Sequence, residues 1–323
     1  MANWVVFGLV RVFIPLKWAF YLGSASGKGG KPRFAGGRDA CGAIDTARDE
    51  TALWDINSNT RNPMPHFAAN LTMMFNEWSF LDRFKAAADA GFSAVEFLFP
   101  YEHSPDAVAK ALQGAGLQQA LFNMPPGDWA KGERGMAALA GREAEFKAGV
   151  ATALTYAEAT GVKRLHMMSG LVSNLDPAAM ACYEANLRYA GEQLAQHGLD
   201  LVIEPINGRN MPGYFLNDFD LAARLITQAG LPNIKLQFDL YHCQIIHGDV
   251  TMRMRQAMPL IGHIQIASVP SRHEPDGEEL NYPFLFDELD RLGYQGFVGC
   301  EYNPKAGTLE GLGWFHAWTN AHR

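Results

Sequence analysis

From residue 64 onward, short apolar runs alternate with longer amphipathic stretches. The runs are FAANLTMMF, AVEFLFP, QALFNMP, KRLHMMSG, LVIEPIN, IKLQFDLYH, IGHIQIAS and FVGCEYNP. Their length and their content of β-branched and aromatic residues predict eight strands. Between them, stretches such as FLDRFKAAADAG, PDAVAKALQGAG and PAAMACYEANLRYAGEQLAQHG predict helices, several of which close on glycine. Ser104 before Pro105 and Asp176 before Pro177 each pair an N-cap side chain with proline at the first helical position. Eight strands, each followed by a helix, in 260 residues predict an α/β fold, a single (β/α)8 TIM barrel. An open doubly wound sheet would often carry a Gly-rich first turn, and ANLTMMFNE has none. The connection over 125–141 is long for a βα turn, as an active-site lid or a surface excursion would be.

The pattern fails before residue 64. MANWVVFGLVRVFIPLKWAFYLG is apolar, but Arg11 and Lys17 interrupt it and Pro15 breaks it. A spanning helix wants about 20 nearly uncharged residues, and a signal peptide wants its charges ahead of the apolar region. The Gly-rich, charged stretch that follows has no helix or strand period and reads as disordered. Its GSASGKGGK lacks the spacing and the preceding strand of a phosphate loop. Residues 1–63 therefore read as an extension outside the fold or as a start placed too far upstream, and 64–323 as the barrel domain.

Composition narrows the function. Residues 64–323 hold 19 basic against 29 acidic residues, and the whole chain carries −7, which argues against a nucleic-acid partner. Cys41, Cys182, Cys243 and Cys300 lie far apart with no CxxC pair. They fit free thiols in a reducing cytoplasm better than a disulfide framework. No membrane partner is expected.

In a barrel, active sites sit at the C-terminal ends of the strands. Glu96 lies in the second predicted strand, His166 near the end of the fourth, and Glu204 at the end of the fifth. Asp239 and His242 close the sixth, Gln265 is in the seventh, and Glu301 ends the eighth. Singly, each has a bland reading as a salt-bridge partner, a helix cap or a hydrogen-bonded core residue. Together, Glu204, Asp239, Gln265 and Glu301 bring oxygen donors from four successive strands. Three converging carboxylates repel unless a cation sits among them, and oxygen donors suit Mg²⁺ or Mn²⁺.

At these residues the sequence resembles hydroxypyruvate isomerase and the closely related 2-oxo-tetronate isomerases, members of the xylose-isomerase-like barrel superfamily. FAANLTMMF, AVEFLFPY, VIEPIN, QFDLYHCQ, HIQIA and CEYNP carry the likeness in order, from Met64 to the C-terminus, and MPHFAANL matches the start of the family's chains. The resemblance implies that Glu204 and Glu301 are the catalytic pair and also metal ligands, with Asp239 and Gln265 completing the set. It implies that His242 reaches a substrate oxygen and that Arg272 anchors a carboxylate; His166 is a candidate for contacting the substrate or supporting the site. Glu96 is a candidate for supporting the site. The reaction implied is hydroxypyruvate to tartronate semialdehyde and back, through an enediolate, with a divalent cation polarising the carbonyl.

Three other readings compete. A 2-oxo-tetronate isomerase or a sugar epimerase would use the same barrel. A sugar-acid-binding protein would not need opposed glutamates. A DNA-repair endonuclease of the superfamily would want extra histidines and a basic face. The aromatic run GWFHAW at 313–318 leaves a homo-oligomer open, because it is either an interface patch or the packing face of a last helix.

Overall fold

The computed structural model describes residues 65–321. The expectations for 1–63, for Met64 and for Cys41 lie outside the described residues. Eight parallel strands close a barrel in sequence order. They are β1 (His66–Asn70), β2 (Ala94–Phe97), β3 (Gln118–Asn123) and β4 (Arg164–His166), then β5 (Asp200–Ile203), β6 (Ile234–Asp239), β7 (Ile261–Ile266) and β8 (Phe297–Cys300). The helices are α1 (Arg83–Asp89), α2 (Pro105–Gly114), α3 (Glu143–Thr160), α4 (Pro177–Gln196) and α5 (Phe219–Ala229). They continue with α6 (Leu240–Ile246), α7 (Val250–Ala257), α8 (Tyr282–Arg291) and α9 (Gly313–Ala321). The expected TIM barrel is borne out, with β1 pairing β8 to close it.

Successive strand residues face opposite sides, and that parity sorts the barrel. Leu165, Leu201, Ile203, Leu236, Phe238, Ile264, Ile266, Val298 and Cys300 belong to the one large apolar core. Their neighbours in sequence turn the other way. Glu96 on β2 meets His263 on β7 at 2.6 Å, although those strands are not adjacent, so the pair crosses the lumen. At one level Ala68, Ala94 and Ala120 form a small separate cluster. At the level of Glu96, polar side chains meet across the lumen.

The predicted caps are present. Ser104 Oγ accepts from Ala107 N at 3.3 Å, and Asp176 Oδ1 accepts from Ala178 N at 2.9 Å. Gly91, Gly116 and Gly198 lie just past α1, α2 and α4. The aromatic run at 313–318 packs α9 onto the barrel. Phe315 stacks on Phe92 at 4.3 Å, and Trp314 meets Phe67 edge-on at 5.1 Å. Trp314 Nε1 also donates to Tyr302 Oη at 3.2 Å.

One ion cluster ties α7 to α8. Glu288 is buried and receives Arg255 Nε at 2.5 Å and Arg291 Nη2 at 2.5 Å. Hydrogen bonds from these two guanidiniums pull its carboxyl down to about 2. A carboxyl depressed in the folded state stabilises above its unfolded pKa and loses that contribution as pH falls toward the folded one. Both arginines are partly solvent-exposed, so we expect Glu288→Gln to cost about 1–2 kcal/mol at pH 7. Urea unfolding should find that difference roughly halved at pH 3, as the linkage requires. An equal gap at both pH values would mean that the carboxylate charge contributes nothing.

Candidate active site

A cavity of about 260 Å³ is lined by side chains from the C-terminal ends of the strands and from the loops that follow. His166, Glu204, His242, Arg272 and Glu301 line it together, with Trp129 and Arg134 from the long connection over 125–141. That connection therefore forms a wall of the pocket. Glu204 and Glu301 lie one residue past β5 and β8, where each chain has just left its ladder. Pro205 donates no hydrogen bond and helps end β5 there.

Glu204, Asp239, His242 and Glu301 each bring one ligand-type atom within 4.8 Å of the others, and all four are buried. Asp239 is also the N-cap of α6: Oδ1 accepts from Tyr241 N at 2.7 Å. The capping reading and the cluster reading of this residue are both true, because Oδ2 stays buried without a partner. Glu204 Oε1 is likewise buried and unpartnered. Burial is the leading cause that raises each carboxyl, with like charges adding to it. Glu204 is pushed well above the usual range, Asp239 to about 6 and Glu301 to about 8. Orphaned carboxylate oxygens that repel one another are the donor set a divalent cation fits.

His242 lies in the first turn of α6 rather than at the end of β6 as expected, because Asp239 caps a helix that starts at once. Its tautomer follows from Asn207. Asn207 Oδ1 accepts from the backbone N–H groups of Arg209 and Asn210, at 3.0 and 2.9 Å. The amide nitrogen must then face His242 Nδ1, at 2.7 Å, and Asn207 N donates to the same atom at 3.3 Å. Two donors on Nδ1 put the ring proton on Nε2. Nε2 lies 3.6 Å from Asp239 Oδ2 and 3.9 Å from Glu204 Oε1. In this tautomer His242 donates into the pocket and offers a cation no lone pair. Burial, then Arg272 and His166, push its pKa well down, so the ring is neutral.

His166, at the end of β4, has both ring nitrogens buried without partners, and its Nε2 is 3.9 Å from Glu204 Oε2. Burial lowers its pKa to about 3, so it too is neutral. Arg272 adopts φ 57°, a strained backbone for a non-glycine residue, and its carbonyl accepts from Asn303 N at 2.9 Å. Its Nη2 donates to Glu301 Oε2 at 2.6 Å, and its guanidinium lies 5.1 Å from the Tyr241 ring.

Beneath the cluster is a polar floor. Glu96 receives Asn70 Nδ2 at 3.0 Å and Gln265 Nε2 at 2.8 Å, and faces His263 Nε2. Because the Gln265 nitrogen must face Glu96, its oxygen points the other way, where Gln237 Nε2 donates at 2.6 Å. A second lone pair on that oxygen remains. Asn70 Nδ2 also reaches Glu301 Oε1 at 3.5 Å. Gly299 leaves the room: a Cβ there would strike the Glu96 carboxylate. Asn70, Asn207, Gln237 and His263 were missed from the sequence. Parity alone would have found two of them, since Gln237 and His263 lie two residues before Asp239 and Gln265 on the same strand faces.

The family model described as xylose isomerase-like TIM barrel matches residues 84–318. The chain belongs to this family. The 2-oxo-tetronate isomerase of Cupriavidus necator is 56% identical over 253 residues, covering 78% of this chain and 97% of that protein. The hydroxypyruvate isomerase of Escherichia coli is 43% identical over 257 residues, covering 78% and 98%. A solved structure titled AP endonuclease, family 2, from Brucella melitensis has TM-score 0.77 and 53% identity, covering 79% of this chain and 99% of that one. The expected resemblance is borne out, and with it the expectation of an isomerase. Among the described residues no helix is long and apolar enough to cross a membrane.

Proposed function

We propose that this chain interconverts hydroxypyruvate and tartronate semialdehyde, with Glu204 and Glu301 as the acid–base pair. The observation that carries the reading is two buried carboxylates from β5 and β8 sharing one pocket with a neutral, Nε2-protonated His242. A 2-oxo-tetronate is the second reading, favoured by the name of the Cupriavidus relative. One glutamate takes the proton from C3, which bears the hydroxyl, while the C2 carbonyl gains charge. The opposite glutamate returns a proton to C2 and the hydroxyl proton passes from the C3 oxygen to the C2 oxygen, leaving an aldehyde at C3 and a hydroxyl at C2. His242 Nε2–H donates to a substrate oxygen and so holds the developing charge. Arg272 opposes the effect of burial on Glu301 and holds its carboxyl in place through the 2.6 Å ion pair. His166, neutral and unpartnered, contributes a further polar contact to the substrate.

Glu204, Asp239, Glu301 and the Gln265 oxygen would hold Mg²⁺ or Mn²⁺, which when bound supplies Lewis-acid polarisation of the carbonyl. Glu96 then acts as a positioning residue, because it fixes which way the Gln265 amide faces. The catalytic body is assigned to 64–323, working in the cytoplasm. An endonuclease finds little support here. Among the described residues the second group able to hold an ion, Asp218, Asp220 and His247, is partly exposed and engaged in ion pairs.

The test is proton NMR of the full chain and of 64–323 with hydroxypyruvate, and separately with a four-carbon 2-oxo acid, in Mg²⁺ or Mn²⁺. The aldehyde resonance of tartronate semialdehyde should appear at equal rates with both chains. Turnover of the four-carbon acid alone would replace the first substrate by the second. Turnover of neither would end the isomerase assignment for small 2-oxo acids.

A further inference from the structure

We infer that Arg134 takes the substrate's carboxylate and so sets this pocket for small acids over uncharged sugars. The inference rests on the isomerase reading above and names the group that reading left without a partner. The pocket has two cations on its wall, Arg134 and Arg272. Arg272 is committed to Glu301 at 2.6 Å, deep among the carboxylates. A substrate carboxylate directed there would meet Glu204, Asp239 and Glu301, which repel it.

Arg134 is differently built. Among the described residues no carboxylate forms an ion pair with it. Its neighbour Glu133 turns away, receiving Arg142 Nη1 on Oε1 at 2.5 Å and Asp128 N on Oε2 at 2.6 Å. Nη1 of Arg134 donates to the carbonyls of Trp129 and Glu133, at 3.1 and 2.7 Å. The guanidinium carbon lies 3.7 Å from the centroid of the Trp129 ring. One nitrogen is thus fixed and the group sits over the Trp129 ring. The edge carrying Nε and Nη2 has no protein partner among the described residues, and that edge is the one that grips a carboxylate by two parallel hydrogen bonds.

The loop holds this arrangement in place. Gly135 N donates to Pro126 O at 2.8 Å, and Gly135 bridges to Ser169. Gly135 sits at φ +105°, where a Cβ would run into the Met168 backbone, so the residue that fixes Arg134 against the segment after β4 can only be glycine. The pocket therefore carries carboxylates at one end and, on its loop wall, a guanidinium that no carboxylate among the described residues pairs with. An acid can lie in it in one orientation, carboxylate toward Arg134 and reacting carbons toward Glu204 and Glu301.

The probe is D-glycerate, hydroxypyruvate with its carbonyl reduced, against its uncharged amide, glyceramide. Calorimetry in Mg²⁺ would compare wild type, Arg134→Met and Arg134→Lys, with kcat and KM for hydroxypyruvate beside it. Wild type should prefer glycerate. Arg134→Met should weaken glycerate by about 10- to 100-fold, the range of a charge-assisted pair, and leave glyceramide unchanged. KM should rise by a similar factor while kcat stays within a few-fold of wild type, and Arg134→Lys should recover part of the loss. A purely structural role for the loop would weaken both probes alike and lower kcat. An Arg134→Met protein that still prefers glycerate overturns the inference while leaving the isomerase reading intact. An Arg134-dependent preference without turnover of any 2-oxo acid would keep the carboxylate site and remove the isomerase reading.

Discussion

Replacing either Glu204 or Glu301 by glutamine should lower turnover by about 10²–10⁴-fold, the range for losing a positioned acid–base group. The amide keeps the shape and removes the exchangeable proton site, so packing is nearly conserved. The two variants should then part company in D₂O. The one lacking the group that abstracts from C3 should stop exchange of the C3 hydrogens of hydroxypyruvate. The one lacking the opposite group should retain that exchange and lose exchange at C2 of the aldehyde. Stability should diverge as well. Glu301→Gln strips Arg272 of its ion-pair partner at 2.6 Å, which lowers the melting temperature. Glu204→Gln removes one of three crowded carboxylates and should raise it in metal-free buffer. Either variant turning over within about tenfold of wild type would remove that residue from the acid–base pair.

The barrel was legible because each strand run is short, apolar and followed by a helical pattern. The site was half legible, for a reason that lies in the strands themselves. Reading IKLQFDLYH as one apolar run brings out Asp239 but hides Gln237, which shares its face. Reading IGHIQIAS brings out Gln265 and hides His263 for the same reason. Counting every second residue separates the helix-facing set, Leu236, Phe238, Ile264 and Ile266, from the luminal one. Asn207 was out of reach by that route, since it acts through a turn whose N–H groups orient its amide. Arg134 lay in a loop that the sequence marked only by its length. His242 was expected at a strand end, and the cap at Asp239 moves it into a helix without moving it out of the pocket.

Removing divalent metal should abolish turnover and make stability fall as pH rises. Burial holds Asp239 at about 6 and Glu301 at about 8 in the metal-free fold, whereas both ionise near 4 in the unfolded chain. A carboxyl raised on folding stabilises below its unfolded pKa, and that contribution drains away until the folded pKa is passed. Chelated protein should therefore lose stability between about pH 4 and pH 8. A cation accepts these groups only as carboxylates, so Mg²⁺ or Mn²⁺ added at pH 7 should release protons and erase the slope. At a hundredfold excess over its dissociation constant the ion stabilises by about 2.7 kcal/mol, which for a domain of this size is about 5–10 °C in Tm. Asp239→Asn should blunt both the proton release and the shift, because Oδ2 loses its charge while the helix cap on Oδ1 survives. Scanning calorimetry across pH 5–8 with and without Mn²⁺ reads all of this. A wild-type Tm indifferent to Mg²⁺ and Mn²⁺, with no proton released on mixing, would show that the three carboxylates hold no cation and that Arg272 alone keeps them together.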